Sequence, residues 1–380
     1  MISTDLLIVS AEPSGDALSA GLIQALRQHS PECSIAIIGG EAVETSGQKS
    51  LMRVEELAIL GFVEGLTAYP FVLKKVQEAV AIIMAEDPRA VVLIDSWGLM
   101  VRIAKALKKQ GYKGKIIKYV APQVWAMRSG RAKVLARYID HLLSTQPMDA
   151  PYFDAVGLPQ SFVGNPVLDT DYGSGDAQAM RADLGIAPEE TVIGLFPGSR
   201  PSEIERVAPA ILAADDVLQS LTGGHRSICI VADNIRTEID ELLKGSQIMA
   251  VGQNRLLDVL PALSGAIACS GTITTQLAAA GVPTVVMYRL SPLTHAIAKR
   301  LMKPDHISLV NIAAGETLMP EYIQDAVDGP EPAKALFDMI RTDEQRVEIA
   351  KRLIQQTREM GAGGENASDK AARAVLDLLV

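Results

Sequence analysis

The sequence predicts an α/β protein made of two doubly wound parallel-sheet domains. Three observations carry that prediction. Short apolar runs alternate with longer stretches of helical period, the signature of parallel strands joined by crossover helices. The length of 380 residues is more than one core ordinarily holds and suits two domains. A polar, glycine-containing stretch, Asp169 to Gly175, reads as a linker between two halves that repeat the same grammar. The two open sheets are expected to face each other, with ligands in a crevice beyond the carboxyl ends of their strands.

In the first half, Leu6 to Val9 is a buried strand that runs into AEPSGD and a helix from Ala17 to His29. Ile35 to Ile38 is a strand closed by Gly39 and Gly40. After Glu55 to Leu66 comes a helix from Pro70 to Ala85, then a strand, Ala90 to Ile94, that ends at Asp95. A helix from Val101 to Gln110, a strand from Lys115 to Val120, and short strands at Asp140 to Ser144 and Gln160 to Val163 complete the half. In the second half the strands are Val192 to Phe196, Ser227 to Val231, Gln247 to Ala250, Gly265 to Ala268 and Thr284 to Met287. His306 to Val310 reads as strand-like, and Lys334 to Arg358 and Ala367 to Leu379 read as helical around a glycine-rich hinge. The expected domains are 1–168 and 176–345, with the C-terminal helix, about 365–380, packing back on the first.

Composition narrows the function. Hydrophobic residues make up 48% and charged residues 21%, which describes a globular chain. A net charge of -9 argues against a general nucleic-acid binder. Cys33, Cys229 and Cys269 are scattered, as are the histidines, so no disulfide framework, metal site or other cofactor is expected. The first apolar run is too short for a signal peptide, and no uncharged run approaches a membrane span, so the expected compartment is cytoplasmic.

The strongest chemical signal is TVIGLFPGSRPSEIER, Thr191 to Arg206. A strand, a glycine turn and a helix start bring backbone N–H groups and the positive end of a helix dipole to a strand tip, where anions bind. Gly198 and Ser199 form the turn, Arg200 can fork onto phosphate oxygens, and Ser202 is the expected cap of a helix opening at Glu203. Ser270, Gly271 and Thr272 form a second such turn, which also reads as simple capping; Gln276, one turn later, can reach a sugar hydroxyl. Asn311 closes the strand-like run. In the first half Asp95, at a strand end, reads either as a general base or as a helix cap. Glu12, Ser14, Asp16 and Glu64 stand near other strand ends, and Gln123, Trp125 and Arg128 can shape a pocket, the tryptophan reading equally as core. Leu60, Phe62, Tyr69, Phe71 and Leu73 with Lys74 and Lys75, and further Lys299, Arg300 and Lys303, suit either a membrane-touching face or a buried helix with a basic edge.

Taken together, AEPSGD, LAILGFVEGL (Leu57 to Leu66), LIDS (Leu93 to Ser96), YVAPQVWAMR (Tyr119 to Arg128), FVGNPVLD (Phe162 to Asp169), LFPGSRPSEIER, SGTITTQLAAAGVP and ISLVNIAAGETLMPEYIQ run in one order over nearly the whole chain. That set resembles the lipid-A-disaccharide synthases, glycosyltransferases of GT-B architecture with two facing Rossmann-like domains and a cleft between them. The resemblance implies inverting transfer of a diacylated glucosamine from UDP to the 6-hydroxyl of a lipid monosaccharide phosphate, without metal, at the inner face of the cytoplasmic membrane. A homodimer is one assembly it leaves open. The chain departs from the family pattern at Trp97 and Gly98, where a proline and an acidic residue are more usual, and at Gln276, where a glutamate is usual. A UDP-sugar 2-epimerase and a non-catalytic nucleotide-sugar or membrane-binding paralogue are the competing expectations.

Overall fold

The computed structural model describes residues 4–40, 49–53, 69–292, 294–295, 300 and 304–379. The chain divides into two compact units, Met1–Pro166 with Glu365–Val380, and Val167–Gly364. Glu64 and the greasy residues Leu60 and Phe62, with Lys299 and Lys303, lie outside the described residues.

The first unit holds β1 (Leu6–Val9), β2 (Ile35–Ile38), β3 (Ala90–Ile94), β4 (Lys115–Tyr119), β5 (His141–Ser144) and β6 (Gln160–Phe162). They form one six-stranded parallel sheet in the order β2-β1-β3-β4-β5-β6. Its strands β1 and β3 are apolar at every position because both faces are covered. Leu7 and Val9 of β1 face a core with the helices Tyr69–Glu86 and Trp97–Gln110. Leu6 and Ile8 face the other, with the helices Pro13–His29 and Ala367–Leu379. The C-terminal helix therefore completes the first unit's core, and His29 meets Asp369 at 3.0 Å.

The second unit holds β7 (Val192–Phe196), β8 (Arg226–Val231), β9 (Met249–Gly252), β10 (Gly265–Cys269), β11 (Thr284–Tyr288) and β12 (Glu321–Ile323). They too form a six-stranded parallel sheet, in the order β12-β11-β10-β7-β8-β9. In each sheet the chain builds outward on one side of its first strand and then returns to the other side. The first sheet reverses between β1 and β3, the second between β7 and β10. Splayed loops at such reversals open a crevice at the carboxyl ends of the strands.

Several expectations are corrected. Asp169 to Gly175 is not a free linker: Tyr172 is buried in the second unit's core, and Gly175 lies so close to the Leu257 backbone that a Cβ would collide with it. His306 to Val310 is not a strand. Ser308 caps a helix, Leu309–Ala314, by accepting from the Asn311 N–H at 3.3 Å, and this local bond overrides the β-prone run. Lys334 to Arg358 is helical as expected, divided into two helices, Glu331–Ile340 and Asp343–Glu359, the second capped by Thr342. The helix after Asp95 starts at Trp97 and not at Val101. The helix after β7, Pro201–Thr222, is capped at Arg200 and not at Ser202, because Pro201 suits its first turn.

Candidate functional site

The second unit gathers its candidates at the β7–β10 reversal. A cavity of about 430 Å³ is lined by Gly198, Ser199, Arg200 and Glu203 from one turn, Ser270, Gly271 and Thr272 from the other, and Gln276. Gly198 has φ +116°, and a Cβ there would come within 2.7 Å of the Glu203 side chain. That closeness lets Glu203 fold back over the turn. Its Oε2 accepts from the N–H groups of Ser199 (2.9 Å) and Arg200 (3.3 Å), and its Oε1 accepts from Arg200 Nη1 (2.9 Å). The turn thus draws a carboxylate, as orphan N–H groups at a helix start do. Those two N–H groups are already engaged, contrary to the open cradle expected from the sequence. The ion pair itself is weakly held, since the Arg200 side chain is 75% exposed.

The second turn differs. The helix Thr272–Ala279 begins with Gly271 at its cap and no side-chain bond there. Thr274 Oγ1 bonds the Gly271 carbonyl at 2.7 Å. Gln276 Nε2 donates to the Tyr172 hydroxyl at 2.9 Å, so the residue that departs from the family pattern holds the inter-half segment against this unit. Asn311 does not join the cavity. It is buried, donating to the Met319 carbonyl (2.7 Å) and to Glu321 Oε1 (2.8 Å), and accepting from the N–H groups of Leu318 (2.9 Å) and Met319 (3.0 Å). Its amide serves as an internal brace.

In the first unit Asp95 sits at the β1–β3 reversal, half-buried. Its N–H donates to the Tyr119 carbonyl at 3.0 Å. Ser14, from the start of the helix Pro13–His29, donates to Asp95 Oδ2 at 3.4 Å. Asp95 (φ +51°), Ser96 (φ +33°) and Val120 (φ +70°) all take left-handed backbone, rare for such residues and concentrated at functional strand ends. The capping alternative for Asp95 gains nothing, since the helix cap is Ser96 and carries no side-chain cap bond.

Sequence reasoning passed over Lys118. Its Nζ is buried and donates to the Tyr119 carbonyl at 2.8 Å, the same oxygen that accepts from Asp95 N–H. Burial pushes the ammonium down to about 7, while the charges of Asp95 and Glu12 pull it upward. A charged residue within the apolar strand KIIKY was the available signal.

The other acceptor-side candidates separate. Glu12, Ser14 and Gln123 are exposed. Asp16 is buried, and its Oδ1 accepts from Ser10 and from the Gly40 N–H, so it ties strand ends together and is poorly placed as a base. Trp125 is core: it is buried, with Nε1 donating to Asp149 Oδ1 at 3.2 Å. Burial raises the Asp149 carboxyl to about 7. Arg128 is exposed in a left-handed turn (φ +54°).

The chain matches a family model described as lipid-A-disaccharide synthetase over residues 6–376. It is 34% identical over 378 residues to a lipid-A-disaccharide synthase of Rhodospirillum centenum, spanning 98% of this chain and 94% of that one. A lipid-A-disaccharide synthase of Trichlorobacter lovleyi is 34% identical over 376 residues, spanning 98% and 97%. Among solved structures, MurG from Acinetobacter baumannii superposes with a TM-score of 0.59 at 13% identity, over 98% of this chain and 99% of that one. A UDP-GlcNAc 2-epimerase from Neisseria meningitidis bound to UDP-GlcNAc gives 0.60 at 11% identity, over 99% of each chain. These two likenesses establish the two-domain α/β fold of GT-B type and nothing of the reaction.

Proposed function

The chain belongs to the lipid-A-disaccharide synthetase family, and from that premise we propose how its two units divide the work of a glycosyltransferase that makes the lipid A disaccharide. The donor is UDP-diacylglucosamine and the acceptor a lipid monosaccharide phosphate. The second unit takes the UDP part and the first unit takes the acceptor. The observation that carries this reading is the cavity at the β7–β10 reversal, where both glycine turns meet helix starts. A diphosphate there displaces Glu203 from the turn and meets Arg200, whose exposed guanidinium is free to reorient. The reading calls for no metal or other cofactor. The epimerase alternative has only fold likeness behind it, whereas the family match runs through both units.

Inversion at the anomeric carbon needs one displacement, in which the acceptor hydroxyl attacks as UDP leaves. The hydroxyl must lose its proton as it attacks. Asp95 is the carboxylate we assign to accept it, and the bond from Ser14 supports that role. The protein works at the inner face of the cytoplasmic membrane as a peripheral enzyme. No helix among the described residues is long and apolar enough to cross a membrane. The exposed Leu73 beside Lys74, and Lys75 stacked 5.5 Å over Phe71, form a greasy edge whose two lysines share Glu78 (3.9 and 3.4 Å) and can turn to anionic headgroups.

Paired variants test the division. Asp95→Asn keeps the shape and removes proton acceptance, so turnover should fall by about 10²–10⁴-fold with UDP affinity unchanged. Arg200→Ala should weaken UDP binding by about ten- to a hundredfold. Near-normal turnover in Asp95→Asn, or unchanged UDP binding by calorimetry in Arg200→Ala, removes the corresponding assignment.

A further inference from the structure

Next to the helix that follows Asp95 lies a concentration of positive charge that proton transfer and UDP binding leave unused. Arg128 and Arg131 stand on one turn after β4, closed by a bond from the Arg131 N–H to the Arg128 carbonyl at 2.9 Å. The Arg131 guanidinium lies over the Trp97 ring, 5.0 Å from its centroid. Trp97 opens the helix that follows Asp95, so this stacking fixes the arginine turn against the carboxyl ends of β3 and β4. The helix Gly130–Tyr138 begins at the same turn without a side-chain bond at its cap, adding the positive end of its dipole.

Among the described residues, no carboxylate pairs with either guanidinium. Arg131 is lowered by burial and then by the charge of Arg128, so like charge is the neighbour it meets. In a protein of net charge -9, two arginines and a helix start that converge with no carboxylate partner among the described residues suit an anion.

We propose that Arg128 and Arg131 bind the phosphate monoester of the acceptor sugar and so hold the acceptor with its hydroxyl toward Asp95. This rests on the acceptor reading given above. Planar guanidiniums fork onto phosphate oxygens with fixed geometry. Stacking on Trp97 orders Arg131 beforehand, which reduces the entropy lost on binding. Trp97, one of the departures from the family pattern, thereby acquires a role as the platform that aims Arg131.

The test crosses two changes: removing the phosphate from the acceptor and removing the arginines. Wild type in detergent micelles should prefer the phosphorylated acceptor in kcat/KM by about ten- to a hundredfold, the worth of a charge-assisted contact. In the Arg128→Ala, Arg131→Ala double variant that preference should collapse toward unity, with dephosphorylated acceptor turned over as by wild type and UDP affinity unchanged. Arg131→Lys keeps charge and loses the planar stack, so part of the preference should survive. A double variant that loses equally on both acceptors, or keeps the preference, overturns the proposal. Flotation with phosphatidic acid vesicles separates the other source of the same chemistry. Lost vesicle binding with an intact acceptor preference assigns the arginines to lipid headgroups and also overturns it. If wild type turns over neither acceptor, the reaction assignment fails, and calorimetry decides the arginine site alone. Glucosamine 1-phosphate should then bind wild type and not the double variant, with glucosamine binding neither; equal binding to both proteins rejects the site.

Discussion

Lys118 shows how a single residue ties the geometry of the first unit to its electrostatics. One carbonyl, that of Tyr119, accepts both its ammonium and the Asp95 N–H, so the buried cation lies beside the proposed base and pins the strained ends of β3 and β4. Its charge is held in the interior against desolvation, which is why the ammonium falls from 10.5 to about 7. The sign of the resulting pH dependence follows. Between about 7 and 10.5 the unfolded chain holds this proton and the folded chain does not. Stability from this group therefore increases as pH rises through that window and is lost as pH falls toward 7, with a limiting slope of about 1.4 kcal/mol per pH unit. Lys118→Met should remove that slope while filling the same space. Denaturant midpoints of wild type and variant at pH 7 and pH 9 measure it. Wild type should gain stability relative to the variant between pH 7 and pH 9, and a difference that stays constant rejects the assignment.

The element that shapes the proposed donor site is the strand–turn–helix from Val192 to Thr222. Its strand is wholly buried, and its helix is tied to β8 by Asp215, which accepts from Ser227 Oγ (2.9 and 2.8 Å) and lies 2.8 Å from His225 Nε2. Between strand and helix the turn closes only because Gly198 leaves room for Glu203 and adopts a φ closed to other residues. Gly198→Ala must push Glu203 away from the Ser199 and Arg200 N–H groups and strain the turn as well. The expected cost is about 1–3 kcal/mol of stability, seen as a lowered Tm, together with weaker UDP binding. A variant with wild-type Tm and affinity means that the turn tolerates a different path. PGSR was readable as an anion turn from its residue types. The carboxylate already seated in it was not, because the side chain that reaches back is chosen by three-dimensional distance.

At the scale of the whole molecule, the chain leaves the first unit at Pro166 and re-enters it at Glu365. Ala371, Ala372 and Val375 of the last helix share a core with Leu22, Ile23 and Leu26 of the first. A chain ending at Gly364 would expose that apolar face to water, at about 25 cal/mol per Å² of newly exposed apolar surface. Calorimetry of this truncation should show the first unit's transition lowered or lost while the second unit's transition and its UDP binding persist. An unchanged thermogram would mean that the first unit's core closes without the helix.

The sequence by itself determined what depends on near neighbours. The strands β1, β2, β3 and β7 announced themselves by unbroken apolar runs, and the two glycine turns by their position between a strand and a helix start. Asp95 stood out as a carboxylate ending a buried strand. The tertiary structure decided what depends on partners distant in the chain. Only strand order places the reversals at β1–β3 and β7–β10, and so brings Ser14 to Asp95 and SGT to PGSR. Only packing shows that Lys118 is interior, that Trp125 spends its N–H on Asp149, and that Asn311 braces a loop. Local pattern governs which segments become strand or helix, because backbone hydrogen bonding and side-chain period act within a few residues. Which side chains meet is set by long-range strand pairing and close packing, and these have no local signature for a single sequence to carry.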